Sequence, residues 1–139
     1  MRRWIPALGI IATALFTMVL IAHAAPNRCV PGKTCTCRGA KGCSYSCAGK
    51  GCKFVLEGSG GAAIFCKAGG CSVTKRGTGD AKIVCEGGRC AVKASGAGIT
   101  LLDCPGKKCS MSCTGAGSCR IVGCKTCKLK CTGAVSCEK

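Results

Sequence analysis

The amino-acid sequence predicts an all-β protein, a narrow two-sided parallel β-solenoid of about six coils of roughly 19 residues, stapled by turn-closing disulfides. Three observations carry this expectation. Cysteines recur every 19 residues in two columns, Cys47, Cys66, Cys85, Cys104 and Cys52, Cys71, Cys90, Cys109. Glycines keep the same period, as Gly58, Gly77, Gly96, Gly115 and Gly60, Gly79, Gly98, Gly117. Between these punctuation points the residues alternate inward-type and outward-type with period two, the signature of a strand with one buried face. A fixed repeat of this kind marks coils that cannot bury their apolar face alone and stack to do so.

The chain opens with Arg2-Arg3, an apolar run from Trp4 to Ala22, and Ala22-His23-Ala24. A basic region, a hydrophobic region and an A-x-A site in that order read as a secretory signal peptide, so residues 1–24 are expected to be cleaved. The run approaches the length that spans a bilayer, so a retained anchor is the alternative. Residues 25–28 then form a short N-terminal segment, and 29–139 the repeat domain. Loss of Arg2 and Arg3 leaves 19 of the 21 Lys and Arg against all five acids, a formal charge of +14. The only Trp and the only His, Trp4 and His23, leave with the leader.

Within each coil, counted from the first cysteine column, positions 6, 8 and 10 of one strand face inward. Positions 16 and 18, and position 1 of the next coil, face inward from the other strand. Position 8 holds Phe54, Val73, Val92 and Met111; position 18 holds Ile64, Ile83, Leu102 and Ile121. The outward positions 7, 9 and 17 carry Lys53, Lys82, Lys93, Arg120, Ser and Thr. The terminal coils add cysteines at positions 10 and 16, Cys113 with Cys119 and Cys131 with Cys137, and Cys29, Cys35, Cys37 and Cys43 fit a shortened first coil. Terminal repeats have one neighbour only, and extra bridges are the expected reinforcement.

All 18 cysteines follow the leader. An even count at this density behind an export signal implies disulfides made in an oxidising compartment, secreted or periplasmic. Taken in order, the cysteines form nine neighbouring pairs around the turns: Cys29–Cys35, Cys37–Cys43, Cys47–Cys52, Cys66–Cys71, Cys85–Cys90, Cys104–Cys109, Cys113–Cys119, Cys124–Cys127 and Cys131–Cys137. Large apolar residues are few, so these bridges are the expected substitute for a bigger core. With a rise of about 4.8 Å per coil, the stack should be a rod about 28 Å long.

The Cys-closed coils over 29–139 resemble the disulfide-laddered short solenoids of insect antifreeze proteins and, more loosely, Cys/Gly-repeat proteins secreted by bacteria. The resemblance lies in repeat style and implies a fold. It does not carry ice binding, because positions 7 and 9 read Lys53/Val55, Ser72/Thr74, Ala91/Lys93, Ser110/Ser112 and Lys128/Lys130, which is no Thr ladder.

Catalysis finds little support. The chain after the leader has no His, which removes the usual general base and the Ser–His and Cys–His pairings. Glu57, Asp80, Glu86 and Asp103 fall at positions 11, 15, 2 and 19, on different edges, so paired-carboxylate chemistry is not expected. Cys35-Thr36-Cys37 and Cys124-Lys125-Thr126-Cys127 have ligand-like spacing, but a single unduplicated C-x-x-C in an exported chain favours disulfides over metal. No cofactor is called for.

Charge is the informative feature. Lys50, Arg89, Lys107 and Lys108 fall in turns, and Lys53, Lys93, Lys128 and Lys130 at outward strand positions. Solubility and protection of strand edges account for such residues without any ligand. The sharper expectation is attraction to polyanions: anionic polysaccharide, lipopolysaccharide or an anionic membrane surface. Sequence-specific nucleic-acid recognition is not expected, because Phe54 and Tyr45 occupy inward positions and leave little for base stacking. Position 19 (Phe65, Val84, Val122, interrupted by Asp103) points outward yet is largely apolar. It is either a stripe for self-association or a partner, or a sign of a one-residue register shift. Two functional classes follow: a secreted cationic structural or binding protein, and a secreted antimicrobial or toxin-like effector acting on anionic membranes.

Overall fold

The computed structural model describes residues 25–139, and the expected signal peptide at 1–24 lies outside the described residues. The alternating segments form short strands that wind between two parallel sheets. One sheet runs β1 (Asn27–Arg28), β3 (Cys43–Cys47), β5 (Ala62–Cys66), β7 (Ala81–Cys85), β9 (Ile99–Asp103), β11 (Ser118–Val122), β13 (Ser136–Glu138). The other runs β2 (Thr34–Arg38), β4 (Lys53–Gly58), β6 (Ser72–Gly77), β8 (Ala91–Gly96), β10 (Ser110–Gly115), β12 (Lys128–Gly133). Successive strands change sheet, and each pairs with the strand one coil away. This is the expected two-sided β-solenoid.

Register follows the 19-residue columns: Phe54 pairs with Val73, Ile64 with Ile83, Cys66 with Cys85, Gly58 with Gly77. Cys35 stands opposite Phe54 in the shortened first coil. Backbone bonds carry the stacking through the turns, as where the Ser72, Ala91 and Ser110 amides each donate to the position-6 carbonyl one coil back at 2.9 Å.

Positions 8 and 18 meet between the sheets as two rows of core. Phe54, Val73, Val92, Met111, Ile64, Ile83, Leu102 and Ile121 are all 2 % exposed or less. Burial of this kind contributes roughly 1.5–3 kcal/mol per side chain, an upper figure when the reference is an extended chain. Buried half-cystines such as Cys47, Cys52, Cys66 and Cys71 join the same core beside these rows.

All nine expected disulfides form, with Cα–Cα distances from 5.6 Å for Cys124–Cys127 to 6.6 Å for Cys131–Cys137. Six of them (Cys29–Cys35, Cys47–Cys52, Cys66–Cys71, Cys85–Cys90, Cys104–Cys109, Cys124–Cys127) close the turns that lead from the first sheet to the second. That side of the molecule is a disulfide edge. The remaining three bridge the opposite, glycine-rich edge, and only in the terminal coils. The bridges imply an oxidising environment.

Position 19 points outward in register, Phe65 against Val84 and Asp103 against both Val84 and Val122. A register shift is thereby ruled out. Phe65 is exposed and Val84, Asp103 and Val122 are half-buried on the outer face of the seven-stranded sheet.

One inward column departs from its apolar pattern. Lys75 occupies position 10 and is only 4 % exposed. Its ammonium donates to the Ala97 carbonyl at 2.6 Å and the Gly77 carbonyl at 3.2 Å, both on the glycine edge. Burial lowers its pKa from the ordinary 10.5, and the Asp80 carboxylate opposes part of that shift.

Candidate functional site: a basic edge

The charges of the turns are unevenly divided. On the disulfide edge, Lys33, Lys50, Lys67 and Arg89 stand on successive coils, followed by Lys107, Lys108 and Lys125, and all seven are exposed. Glu86 is the single acid there. The turns of the glycine edge carry only Lys41 and Asp80. Because coils stack at about 4.8 Å, cations in equivalent turns form a row along the rod.

Four of the eight expected polyanion-binding residues meet in one place. Lys50, Arg89, Lys107 and Lys108 line a cleft of about 540 Å³ on the disulfide edge, floored by Ala68, Gly70, Gly87, Gly88 and Gly106. The other four are elsewhere: Lys53 on β4, Lys93 on β8, and Lys128 and Lys130 on β12 are exposed on the outer face of the six-stranded sheet. Lys107 and Lys108 therefore do not share a surface with Lys128 and Lys130.

The local backbone explains how the cleft forms. Glycines at positions 3 and 4 are fixed by close coil stacking, since a Cβ on Gly69, Gly87, Gly88 or Gly106 would come within 2.4 Å of backbone in an adjoining coil. Position 5 is different. A Cβ on Gly70 would meet nothing closer than the Gly51 nitrogen at 3.7 Å, so a side chain fits there and only its left-handed backbone is unfavourable. Arg89 and Lys108 take that position with φ of 57° and 58°. Lys107, at position 4, has φ of 71°. It stands where Gly69 and Gly88 stand in earlier coils, next to a turn in which Cys124–Cys127 has a sequence separation of 3 where Cys104–Cys109 has 5. The cleft amides of Gly70 and Arg89 are engaged with the Gly88 and Lys107 carbonyls, at 2.9 and 3.1 Å.

Other surfaces weigh less. A larger hollow of about 830 Å³ at the C-terminal end includes Arg120, but its guanidinium is paired with Glu138 at 3.2 Å. An apolar hollow of about 470 Å³ on the seven-stranded sheet is bordered by Ala63, Ile99 and Leu101.

The acids take separate structural parts. Glu57 pairs with Arg38 at 2.9 Å, and Asp80 accepts the Ile99 amide at 2.7 Å. Tyr45 packs its ring 6.0 Å from Phe54 and donates its hydroxyl to the Thr36 carbonyl. Sulfurs of neighbouring bridges lie within 4.8 Å of each other, as at Cys66, Cys71 and Cys90, but every one of them is in a disulfide and offers no thiolate. The residues that sequence reasoning left out, Lys33, Lys67 and Lys125, lie in turns of the same edge as those it included.

Comparison with protein-family models, with curated proteins and with solved structures returns no match to this chain.

Proposed function

We propose that this protein is a secreted, disulfide-stabilised cationic binding module that holds acidic polymers of an envelope or matrix against its disulfide edge. The observation that carries the reading is the division of charge between the two edges. Solubility alone asks for dispersed cations, whereas seven on one edge beside a single acid create a directional field. The ligand class is an anionic polysaccharide, lipopolysaccharide or an anionic membrane surface. The work is binding and calls for no cofactor and no catalytic group. Export by the 1–24 leader belongs to the same proposal.

Binding through such a row proceeds by release of counterions condensed on the polymer, so its affinity falls steeply with salt. The coils are fixed by backbone bonds and sulfur, and only Lys and Arg stems lose freedom on contact. The test is a titration of the protein against heparin from low to physiological salt, with anionic vesicles carrying a trapped dye in parallel. The reading predicts salt-sensitive binding and intact vesicles. Release of dye would move the protein to the membrane-effector class, and no heparin binding at low salt would reduce its charge to a solubility device.

A further inference from the structure

Arg89, Lys107 and Lys108 hold left-handed backbone angles that L side chains adopt at a cost, in columns where other coils place glycine. Nothing in the fold asks for a side chain at these points. The three are exposed and make no ion pair among the described residues, and the buried rows lie on the other side of the Cys104–Cys109 and Cys85–Cys90 bridges. They are unfavourable for the fold locally and converge on one cleft, a combination typical of binding sites.

Resting on the polymer-binding reading, we infer that the cleft of Lys50, Arg89, Lys107 and Lys108 is a discrete subsite for the sulfate or phosphate ester groups of an acidic polysaccharide. Chemistry selects the group. Arg89 presents a planar fork of donors, which matches two oxygens of an oxyanion. Lys107 and Lys108 reach the same cleft from the next coil, about 4.8 Å away. A tetrahedral ester offers three free oxygens to donors arriving from different directions. A carboxylate offers two in one plane, and leaves one cation of the three without a direct partner. Lys50, two coils from Arg89, extends the row to a neighbouring anionic group on the same chain. A polysaccharide is favoured over a nucleic acid because the cleft contains no aromatic ring on which a base could stack, Tyr45 and Phe54 being packed on each other.

The experiment compares heparin, which carries sulfate esters, with polygalacturonate, which carries carboxylates only, for three full-length proteins. These are the native chain, the triple variant Arg89→Gly, Lys107→Gly, Lys108→Gly, and the triple variant to Gln at the same positions. Native protein should bind heparin at least tenfold more tightly than polygalacturonate in the same buffer. Both variants should lose at least tenfold for heparin and most of that preference. The glycine variant should melt no lower than native, since it relieves left-handed side chains, and the glutamine variant should not gain. A polysaccharide carrying phosphate monoesters, such as phosphorylated starch, follows heparin if the geometry of the group decides, and sulfate is the source if it does not. Native protein that binds both polysaccharides equally, or triple variants that keep heparin affinity while Lys33→Gln, Lys67→Gln and Lys125→Gln together weaken it, overturn the subsite and leave the general reading standing. Heparin affinity kept by the triple variants and abolished by Lys53→Gln, Lys93→Gln, Lys128→Gln and Lys130→Gln overturns both. Native protein that binds neither polymer overturns both.

Discussion

At the scale of single residues, the molecule tolerates departures from its repeat only where an edge can absorb them. Lys75 shows this best. Position 10 reads as inward in every coil, and that much is legible from period-two alternation. That a lysine there stays inside is not legible, because it depends on the Gly77 and Ala97 carbonyls lying within reach of its ammonium, at 3.2 and 2.6 Å. Burial lowers its folded pKa below the ordinary 10.5 of the unfolded chain. Between those two values the unfolded state binds more protons than the folded one, so stability rises with pH. The penalty of the buried charge is present below the lowered folded pKa and is gone above 10.5. Lys75→Met removes this titration. Denaturation midpoints at neutral and alkaline pH should show native protein gaining on the variant as pH rises, and a constant difference between the two would mean that Lys75 is solvated in the folded state.

At the scale of the turns, glycine has two separable reasons to be present. Gly77 has a φ of 148° and a Cβ there would lie 2.3 Å from the Gly58 carbonyl oxygen. Gly70 has a φ of 68° and open space. Gly70→Ala should therefore cost about 1–2 kcal/mol, the left-handed penalty alone. Gly77→Ala should cost more, about 3 kcal/mol or above, because neighbouring coils must also separate. Equal losses in chemical denaturation would contradict the tight stacking assigned to the glycine columns. The turns are also where the sequence was most informative. Cysteines placed on either side of each break pointed to the winding and to the nine local pairs; sulfurs of neighbouring bridges also lie within 4.8 Å of each other, so it was order along the chain that singled the pairs out. Loop backbone angles were hidden, because Arg89 and Lys108 share a column with Gly51 and Gly70 and side-chain identity does not announce a positive φ.

At the scale of the whole rod, two edges and two faces have different characters: a sulfur-closed cationic edge, a glycine edge, a basic and hydroxyl-bearing face on the six-stranded sheet, and a face on the seven-stranded sheet that is apolar along Phe65, Val84 and Val122. The edge assignment could have been reached by sorting the basic residues by which of the two turns of a coil they fall in, which puts Lys33, Lys67 and Lys125 on the same edge as Lys50, Arg89, Lys107 and Lys108. The cleft itself was not legible, since it depends on the left-handed backbone that Arg89, Lys107 and Lys108 take. The direct test of the account is the slope of log affinity for heparin against log salt in two neutralised variants. One replaces Lys33, Lys50, Lys67, Lys107, Lys108 and Lys125 by Gln on the disulfide edge; the other replaces Lys53, Lys93, Lys128 and Lys130 on the sheet face. Each cation that meets an anionic group adds close to one unit of slope, by analogy with about 0.7–0.9 per phosphate in nucleic acids. The account predicts a slope flattened by several units in the edge variant and nearly unchanged in the face variant. The reverse, a native slope in the edge variant and a flattened one in the face variant, would contradict it.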